Sequence, residues 1–174
     1  MKTHVIILGL IFLISSQLHA QLKYEGTIDA RYKTIQLDDG SFKYVKYNQK
    51  EQKVFIYNLD NTIWRTIKLP LPKDHLLDEI KHISQHAFNK DDEVELVYSC
   101  VVYHISDNIE DTEKDNVIVR FTLNIINESG EQLLKVHDSN EMEIIDSQGQ
   151  KKLLIYKHLG KHFNGKDETL IYSF

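Results

Sequence analysis

The chain has 174 residues and a formal net charge of −5 at pH 7, from 21 Lys and Arg against 26 Asp and Glu. This length is enough for one domain with a substantial core, and the acidic balance disfavours nucleic acid, whose phosphates require clustered Lys and Arg. The single cysteine, Cys100, excludes an internal disulfide. Between apolar neighbours its thiol is expected to be buried and inert.

The first 20 residues have the order of a secretory signal peptide. Lys2 is followed by an apolar run over residues 5–14 and a polar segment that ends at Ala20. Such a run is too short to span a bilayer comfortably, and a small residue stands at the cut. Gln21, rather than a cysteine, follows the cut, which argues against a bacterial lipid anchor. The sequence predicts export to the periplasm or the extracellular space, with cleavage elsewhere or an uncleaved membrane anchor as alternatives.

Beyond residue 20, runs of Tyr, Val, Ile, Phe and Thr alternate with polar clusters, a pattern typical of strands joined by tight turns. The segment IYNLDNTIWRTI (56–67) aligns without a gap with IINESGEQLLKV (125–136). A similar form recurs in IIDSQGQKKLLI (144–155) and, more loosely, in QLDDGSFKYV (36–45). Asn, Asp and Gly tolerate the positive φ angles of hairpin turns. These segments therefore predict four strand reversals.

In chain order the predicted strands fall into three meander groups within a single domain, residues 21–174. The repeats cover about 27–72, 78–138 and 140–174, with starts about 55 residues apart, near the length of propeller blades and similar arrays. The predicted strands are 27–37, 42–47, 53–58 and 63–69, then 80–84, 94–103, 117–126 and 132–136, then 142–146, 152–156 and 169–173. The third group lacks a fourth strand, for which residues 23–28 are a candidate.

The faces of two strands indicate how the groups pack. Residues 94–103 are apolar at both even and odd positions, as expected for a strand covered on both faces. Residues 63–69 alternate as in a half-exposed outer strand. Ile63, Arg65, Ile67 and Leu69 lie on one face, and Trp64, Thr66 and Lys68 lie on the other. We therefore predict an all-β fold of about three antiparallel, four-stranded meander repeats, propeller-blade-like or as an open array. An irregular β-sandwich is the alternative.

One segment also fits a helix. Residues 74–89 keep several apolar positions loosely on one side and carry Asp74 at a possible N-cap. Over residues 76–88 the sequence thus leaves helix and strand open. We prefer a strand at 80–84 because it completes the second group.

Several motifs resemble the β-repeat regions of uncharacterised secreted Bacteroidota proteins similar to cargo of the type IX secretion system. The residues that carry the likeness are Tyr57 to Asp60, Thr66-Ile67, Leu69-Pro70 with Pro72, Ile83-Ser84 with Phe88-Asn89, 94–98 and 127–130. The resemblance covers most of residues 42–174 and implies an exported, all-β protein with no catalytic residue to transfer. Such proteins often continue into a proline-rich linker and a C-terminal sorting domain, whereas this chain ends at Phe174. Against this resemblance, the chain is either a shortened relative that stays in the periplasm or leaves by another route, or a truncated product.

The candidate ligand residues are aromatic. Tyr and Trp are the usual filling of a half-buried sheet face, and they also form platforms for sugar rings or for a partner protein. The five candidates for such a platform are Tyr44, Tyr47, Tyr57, Trp64 and Tyr103. Trp64 is the residue that we predict to contact a ligand, and in that role it should be prominently exposed. If it packs beneath a neighbouring strand or loop, its role is structural.

Three polar clusters resemble metal sites but are better explained as solvated loops or strand residues. His82 and His86 have helical metal-pair spacing but lack the Glu that a zinc protease places after its first His. The acidic run 107–115 lacks the glycine and terminal glutamate of a calcium loop. The third cluster lies in a long connection and consists of His158, His162, Asp167 and Glu168.

No phosphate loop, nucleophile elbow or zinc-enzyme signature occurs in the sequence. We therefore expect an exported, non-enzymatic binding or scaffold module, with no cofactor, no metal and no catalytic residues. Its partner is an unknown protein or glycan rather than nucleic acid, and its mature chain is not membrane-embedded. The alternatives are a carbohydrate-binding accessory protein and, less favoured, a metal-dependent hydrolase.

Overall fold

The structure, a computed structural model, describes residues 24–27, 32–88, 91–105, 117–158 and 167–174. Within these ranges all regular secondary structure is β-strand, which confirms the all-β prediction. The strands form three antiparallel sheets of four, four and three strands, and none closes into a barrel.

Each sheet is a meander in which consecutive strands are neighbours. The first sheet contains β1 (Lys33–Gln36), β2 (Phe42–Asn48), β3 (Lys53–Tyr57) and β4 (Ile63–Lys68). The second contains β5 (Leu76–Ser84), β6 (Glu95–Ile105), β7 (Val117–Ile126) and β8 (Gln132–His137). The third contains β9 (Glu141–Ser147), β10 (Gln150–Lys157) and β11 (Glu168–Ser173).

The three predicted strand groups correspond to these three sheets. The helical alternative for residues 76–88 is wrong, because β5 runs as a strand from Leu76 to Ser84 and pairs along its length with β6. Of the candidate strand 23–28, residues 24–27 carry no strand and the two end residues lie outside the described ranges. The signal peptide predicted over residues 1–20 also lies outside them.

The chain divides into two compact units, Met1–Arg31 and Tyr32–Phe174. In the first unit, the described residues include a hydrogen bond of 2.5 Å between the hydroxyls of Tyr24 and Thr27. The eleven strands of the described residues belong to the second unit.

In the second unit, the second sheet lies between the other two. One core cluster joins the first and second sheets, and it consists of Leu37, Val45, Val54, Ile56, Ile67, Leu69, Ile80, Ile83, Val94, Leu96, Tyr98 and Ile126. A second cluster joins the second and third sheets, and it consists of Val97, Leu123, Ile125, Val136, Leu153 and Ile155. Two separate apolar interfaces therefore hold the three layers together.

Strand β6 contributes to both interfaces. Leu96 and Tyr98 point into the first cluster, whereas Val97, between them in sequence, points into the second. All three are almost completely buried, which confirms that this strand is covered on both faces. The Tyr98 hydroxyl meets the first layer directly, since it donates a hydrogen bond to the Pro70 carbonyl at 3.0 Å.

Polar contacts at one edge also connect the first two sheets. The Lys33 ammonium of β1 donates hydrogen bonds to the Glu79 carboxylate at 2.8 Å and to the Ile80 carbonyl at 2.7 Å. The Ser84 hydroxyl donates to the Asp38 carboxylate in the β1–β2 turn. These contacts hold β1 beside β5, so the first two meanders run in the same direction across the stack.

The third meander runs across the stack in the direction opposite to the first two. Its first strand, β9, follows β8 after only three residues, 138–140. At the opposite side, the ring of Phe174 after β11 lies 5.1 Å from the ring of Phe88 after β5. The three sheets are therefore not equivalent repeats in space, since the third is placed by a short corner connection.

Three hairpin turns share one hydrogen-bond pattern. In the turn after β3, the Asn58 amide donates to the Thr62 carbonyl and the Asn61 amide donates back to the Asn58 carbonyl. Residues 127–131 after β7 and residues 37–41 after β1 repeat both bonds. The fourth position of each turn has positive φ, and Gly fills it in two of the three. The gapless alignment of 56–67 with 125–136 thus corresponds to a shared turn geometry.

Candidate functional site

Trp64 is partly buried rather than prominently exposed, and it packs against the first core cluster. The Lys43 ammonium and the Arg65 guanidinium each lie 4.7 Å from the centroid of its ring. Both cations have further partners, because Lys43 donates to the Asn58 side chain at 2.8 Å and Arg65 to the Glu128 carboxylate at 3.2 Å. The π surface of Trp64 is thus already in contact with two cations. Its role in ligand contact stays a prediction.

The predicted face assignment at the start of β4 is wrong, and a β-bulge is the reason. Arg65 pairs with Ile56, but Ile63 pairs with Tyr57, so Trp64 is an extra residue in β4. The extra residue changes the alternation of side chains. Ile63 therefore joins the face opposite the core, and Trp64 turns toward the core.

That opposite face of the first sheet carries the largest group of neighbouring aromatic rings in the described residues. We call it the aromatic face, and its rings belong to Tyr32, Tyr44, Phe55 and Tyr57. Tyr44 and Tyr57 are directly opposite each other on β2 and β3. The Tyr32 ring lies 5.7 Å from that of Tyr44 and 5.3 Å from that of Tyr57, and the Phe55 and Tyr57 rings are 6.4 Å apart.

The alternation of β2 and β3 produces this face. Val45, Val54 and Ile56 point into the core and are almost completely buried, so their neighbours in sequence point outward. The outward rings are half-buried against one another. At the rim, Phe42 and Ile63 are 47% and 58% exposed. The result is an exposed apolar surface on a sheet face that no other described strand covers, a kind of surface that often marks an interaction site.

Burial shifts the acid–base behaviour of this face. The pKa of Tyr57 is raised, first by burial and then by the adjacent Tyr32 hydroxyl. A phenol is already protonated at neutral pH, and this shift favours that form further, so the hydroxyl can donate a hydrogen bond.

The structure separates the five aromatic side chains proposed as a platform. Tyr44 and Tyr57 lie on the aromatic face, whereas Tyr47 points toward the core, where its buried hydroxyl has no hydrogen-bond partner among the described residues. Tyr103 is 57% exposed on β6, in another sheet. Sequence reasoning missed Tyr32 and Phe55, although Phe55 could be found by alternation with Val54 and Ile56.

The histidine pair His82 and His86 does not share a site. His82 lies within β5, its Nε2 is buried without a partner among the described residues, and its ring meets Phe88 edge-on at 6.4 Å. Burial lowers the pKa of His82 and favours its neutral form. His86 is exposed beyond the strand, and its Nδ1 lies 3.0 Å from the Asp91 carbonyl. Among the described residues, no group of three or more His, Cys, Asp and Glu side chains could hold a metal ion.

In the third cluster, His158 follows β10 and Glu168 begins the neighbouring β11, and each lies beside a different partner. His158 lies 3.4 Å from the Glu141 carboxylate, and Glu168 lies 3.7 Å from the Lys157 ammonium, whereas His162 lies outside the described residues, as does the acidic run 107–115. Cys100 is buried in β6, and burial raises the pKa of its thiol. This thiol is accordingly a poor nucleophile, as the sequence predicts.

The fold and this surface together define an all-β protein of three stacked meander sheets with an exposed aromatic face on the first sheet. No protein-family model, curated protein or solved structure that was searched matches the chain. In the part of the chain that the structure describes, no helix is long and apolar enough to cross a membrane.

Proposed function

We propose that this protein is an exported, non-enzymatic binding module and that the aromatic face is its ligand-binding surface. The observation that carries the proposal is the contact of Tyr32, Tyr44, Phe55 and Tyr57 on a sheet face that no other described strand covers. Tyr side chains provide large contact areas at little cost in conformational entropy, together with a hydroxyl that can bond a ligand. The N-terminal signal-peptide pattern and the resemblance to secreted β-repeat proteins support export.

A glycan is the ligand class that this surface fits best. The face is formed by neighbouring strands about 4.8 Å apart, with outward residues about 7 Å apart along each strand, so its rings form a shallow platform rather than a pocket. Polar side chains, among them Thr34 and Thr66, lie beside the rings on the same face. A sugar ring presents an apolar face and a rim of hydroxyls, and such a platform complements both.

The test is affinity electrophoresis of the purified protein against a panel of soluble polysaccharides. The double substitution Tyr44→Ala with Tyr57→Ala should abolish retardation by any bound polymer, whereas Tyr103→Ala, at an exposed tyrosine of another sheet, should leave it unchanged. Circular dichroism and thermal unfolding of both variants serve as the folding control. Equal binding by wild type and a folded double variant would place the ligand elsewhere.

A further inference from the structure

The aromatic face has a basic end. Lys46, Lys53 and Lys68 point outward from β2, β3 and β4, on the same side as the aromatic rings. Lys46 is directly opposite Phe55, and Lys53 is directly opposite Lys68. Residues opposite each other in antiparallel strands have Cβ atoms about 5 Å apart, so the three ammonium groups border the aromatic rings. We call these three lysines the basic end.

Within the described ranges, two of these lysines have no competing partner. Lys46 and Lys68 are exposed, and neither has a hydrogen-bonding or ionic partner in the described part of the chain. Lys53 lies 3.0 Å from the Glu51 carboxylate, in an exposed pair. Exposed pairs contribute little free energy, so Lys53 can exchange this partner for a ligand anion.

The outward positions of the four strands contain no carboxylate. They are Thr34, Gln36, Phe42, Tyr44, Lys46, Asn48, Lys53, Phe55, Tyr57, Ile63, Thr66 and Lys68. The nearest acidic turn residues at the opposite end, Asp39 and Asp60, accept hydrogen bonds from Ser41 and Thr62 within their own turns. At the basic end, the β2–β3 turn adds one carboxylate, Glu51, which pairs with Lys53. Lys46 and Lys68 therefore give this end a local excess of positive charge in a chain of net charge −5.

From this arrangement we infer that the aromatic face binds an anionic polysaccharide. Its sugar rings stack on Tyr44, Phe55 and Tyr57, and its carboxylate or sulfate groups meet the basic end. This inference rests on the proposed function, and it specifies that the proposed glycan ligand carries negative charge. The lysines supply attraction to a regularly spaced anion, and the rings supply the contact area.

Two other occupants fit less well. Single-stranded nucleic acid also binds aromatic rings and cations on sheets, but it requires a strongly basic groove. The basic end has only its three lysines, and the chain as a whole is acidic. A second copy of the chain could present the outer face of its third sheet, which carries Glu143 beside Leu154 and Ile171. That face also carries Lys152 opposite Ile145, so its charge is mixed.

The experiment compares polygalacturonate with its methyl ester, two polymers that differ only in charge. The wild-type protein should bind polygalacturonate more tightly, and about 1 M salt, where the Debye length is about 3 Å, should remove the preference. The triple substitution Lys46→Gln, Lys53→Gln and Lys68→Gln should weaken binding of polygalacturonate by about tenfold, since each exposed ion pair adds only a few-fold in affinity. Binding of the methyl ester should not change. Lys152→Gln, on the outer face of the third sheet, is the matched control.

The outcomes distinguish glycan binding by the aromatic face, the first level, from its preference for an anionic polymer, the second. Equal binding of both polymers, unaffected by the lysine substitutions but lost in the tyrosine double variant, overturns the anionic preference and leaves the glycan-binding proposal intact. Tighter binding of an oligothymidylate than of polygalacturonate overturns the inference in favour of nucleic acid. Failure to bind any polysaccharide overturns both levels. Sedimentation as a dimer that the tyrosine double variant dissociates would then identify a second copy as the occupant.

Discussion

At the scale of single residues, Trp64 shows how one extra residue redirects a side chain. It lies at the bulge of β4, and Leu133 occupies the equivalent position at the bulge between β7 and β8, where Ile126 pairs with Gln132 and Ile125 with Leu134. Trp64 packs against the core, whereas Leu133 is exposed. The same bulge therefore places its extra residue against the core in the first sheet and in solvent in the second.

The substitution Trp64→Ala should destabilise the protein by about 2 kcal/mol, because it removes a partly buried ring and two cation contacts. It should leave polysaccharide binding unchanged, since the ring lies on the core side of the first sheet. Urea unfolding and affinity electrophoresis measure the two effects separately. Loss of binding with unchanged stability would instead identify Trp64 as a ligand contact.

Glu79 should contribute to stability in a pH-dependent way. Hydrogen bonds from Lys33 and then Lys81 lower its pKa from 4.5 to about 2. A carboxyl group whose pKa is lower in the folded state stabilises the fold above its unfolded pKa and loses this effect as the pH falls through its folded pKa. The difference in unfolding free energy between wild type and Glu79→Gln should be greatest at neutral pH, and it should shrink as the pH falls from 4.5 toward 2.

This contribution is measured by urea unfolding of both proteins across that pH range. The matched control is Asp92→Asn, a neutralised carboxylate on an exposed residue. If the two variants show the same pH dependence, the Lys33 and Lys81 contacts contribute no pH-dependent stability.

At the scale of the elements, the four predicted reversals all occur, but they are of two kinds. Three are the five-residue turns described above, while β9 and β10 are joined by the two residues Gln148 and Gly149. Their φ angles of 56° and 78° are those of the tight hairpin turn that favours Asn-Gly. The alignment predicted where the chain turns, whereas the number of residues in this turn depends on how β9 pairs with β10.

Substitutions in this two-residue turn should follow the tolerance for positive φ. Gly149→Ala should cost about 1 kcal/mol, because a Cβ at positive φ is strained, whereas Gly149→Asn should cost less. Gln148→Asn should raise stability by a few tenths of a kcal/mol, since Asn tolerates this conformation better than Gln. Thermal unfolding ranks the three variants, and a Gly149→Ala protein as stable as wild type would contradict the assigned turn.

At the scale of the whole molecule, the middle sheet couples two cores. Leu96 and Val97, adjacent in β6, are both fully buried and point into different clusters. A change in either core therefore acts on the same strand, and the three sheets are expected to unfold together.

Leu96→Ala in the first core and Ile155→Ala in the second should each destabilise the protein by roughly 2–5 kcal/mol, the usual cost of a cavity at a fully buried site. In both variants, the fluorescence of Trp64 in the first core and the far-ultraviolet circular dichroism should report the same urea midpoint. Leu133→Ala, at an exposed leucine, should change stability by less than about 0.5 kcal/mol. Two separate midpoints in Ile155→Ala would show that the third sheet unfolds independently.

The sequence left helix and strand open over residues 76–88 and began the first strand at residue 27, whereas β1 begins at Lys33. By itself it determined the other strands, their grouping into three meanders, the main turn positions and the double burial of β6. These features depend on the alternation of apolar residues and on local turn chemistry, which act between near neighbours. Alternation also predicts that Phe55 points to the other face of the sheet from Val54 and Ile56. Part of the aromatic face could therefore be predicted from the sequence.

Only the tertiary structure decided which aromatic residues meet. The bulge in β4 moves Trp64 and Ile63 to faces that strict alternation does not predict, and Tyr32 joins Tyr44 and Tyr57 from outside any regular strand. The three-residue link between β8 and β9 likewise sets the direction of the third sheet. Register, bulges and layer order depend on contacts between residues far apart in the chain, and local sequence patterns do not contain that information.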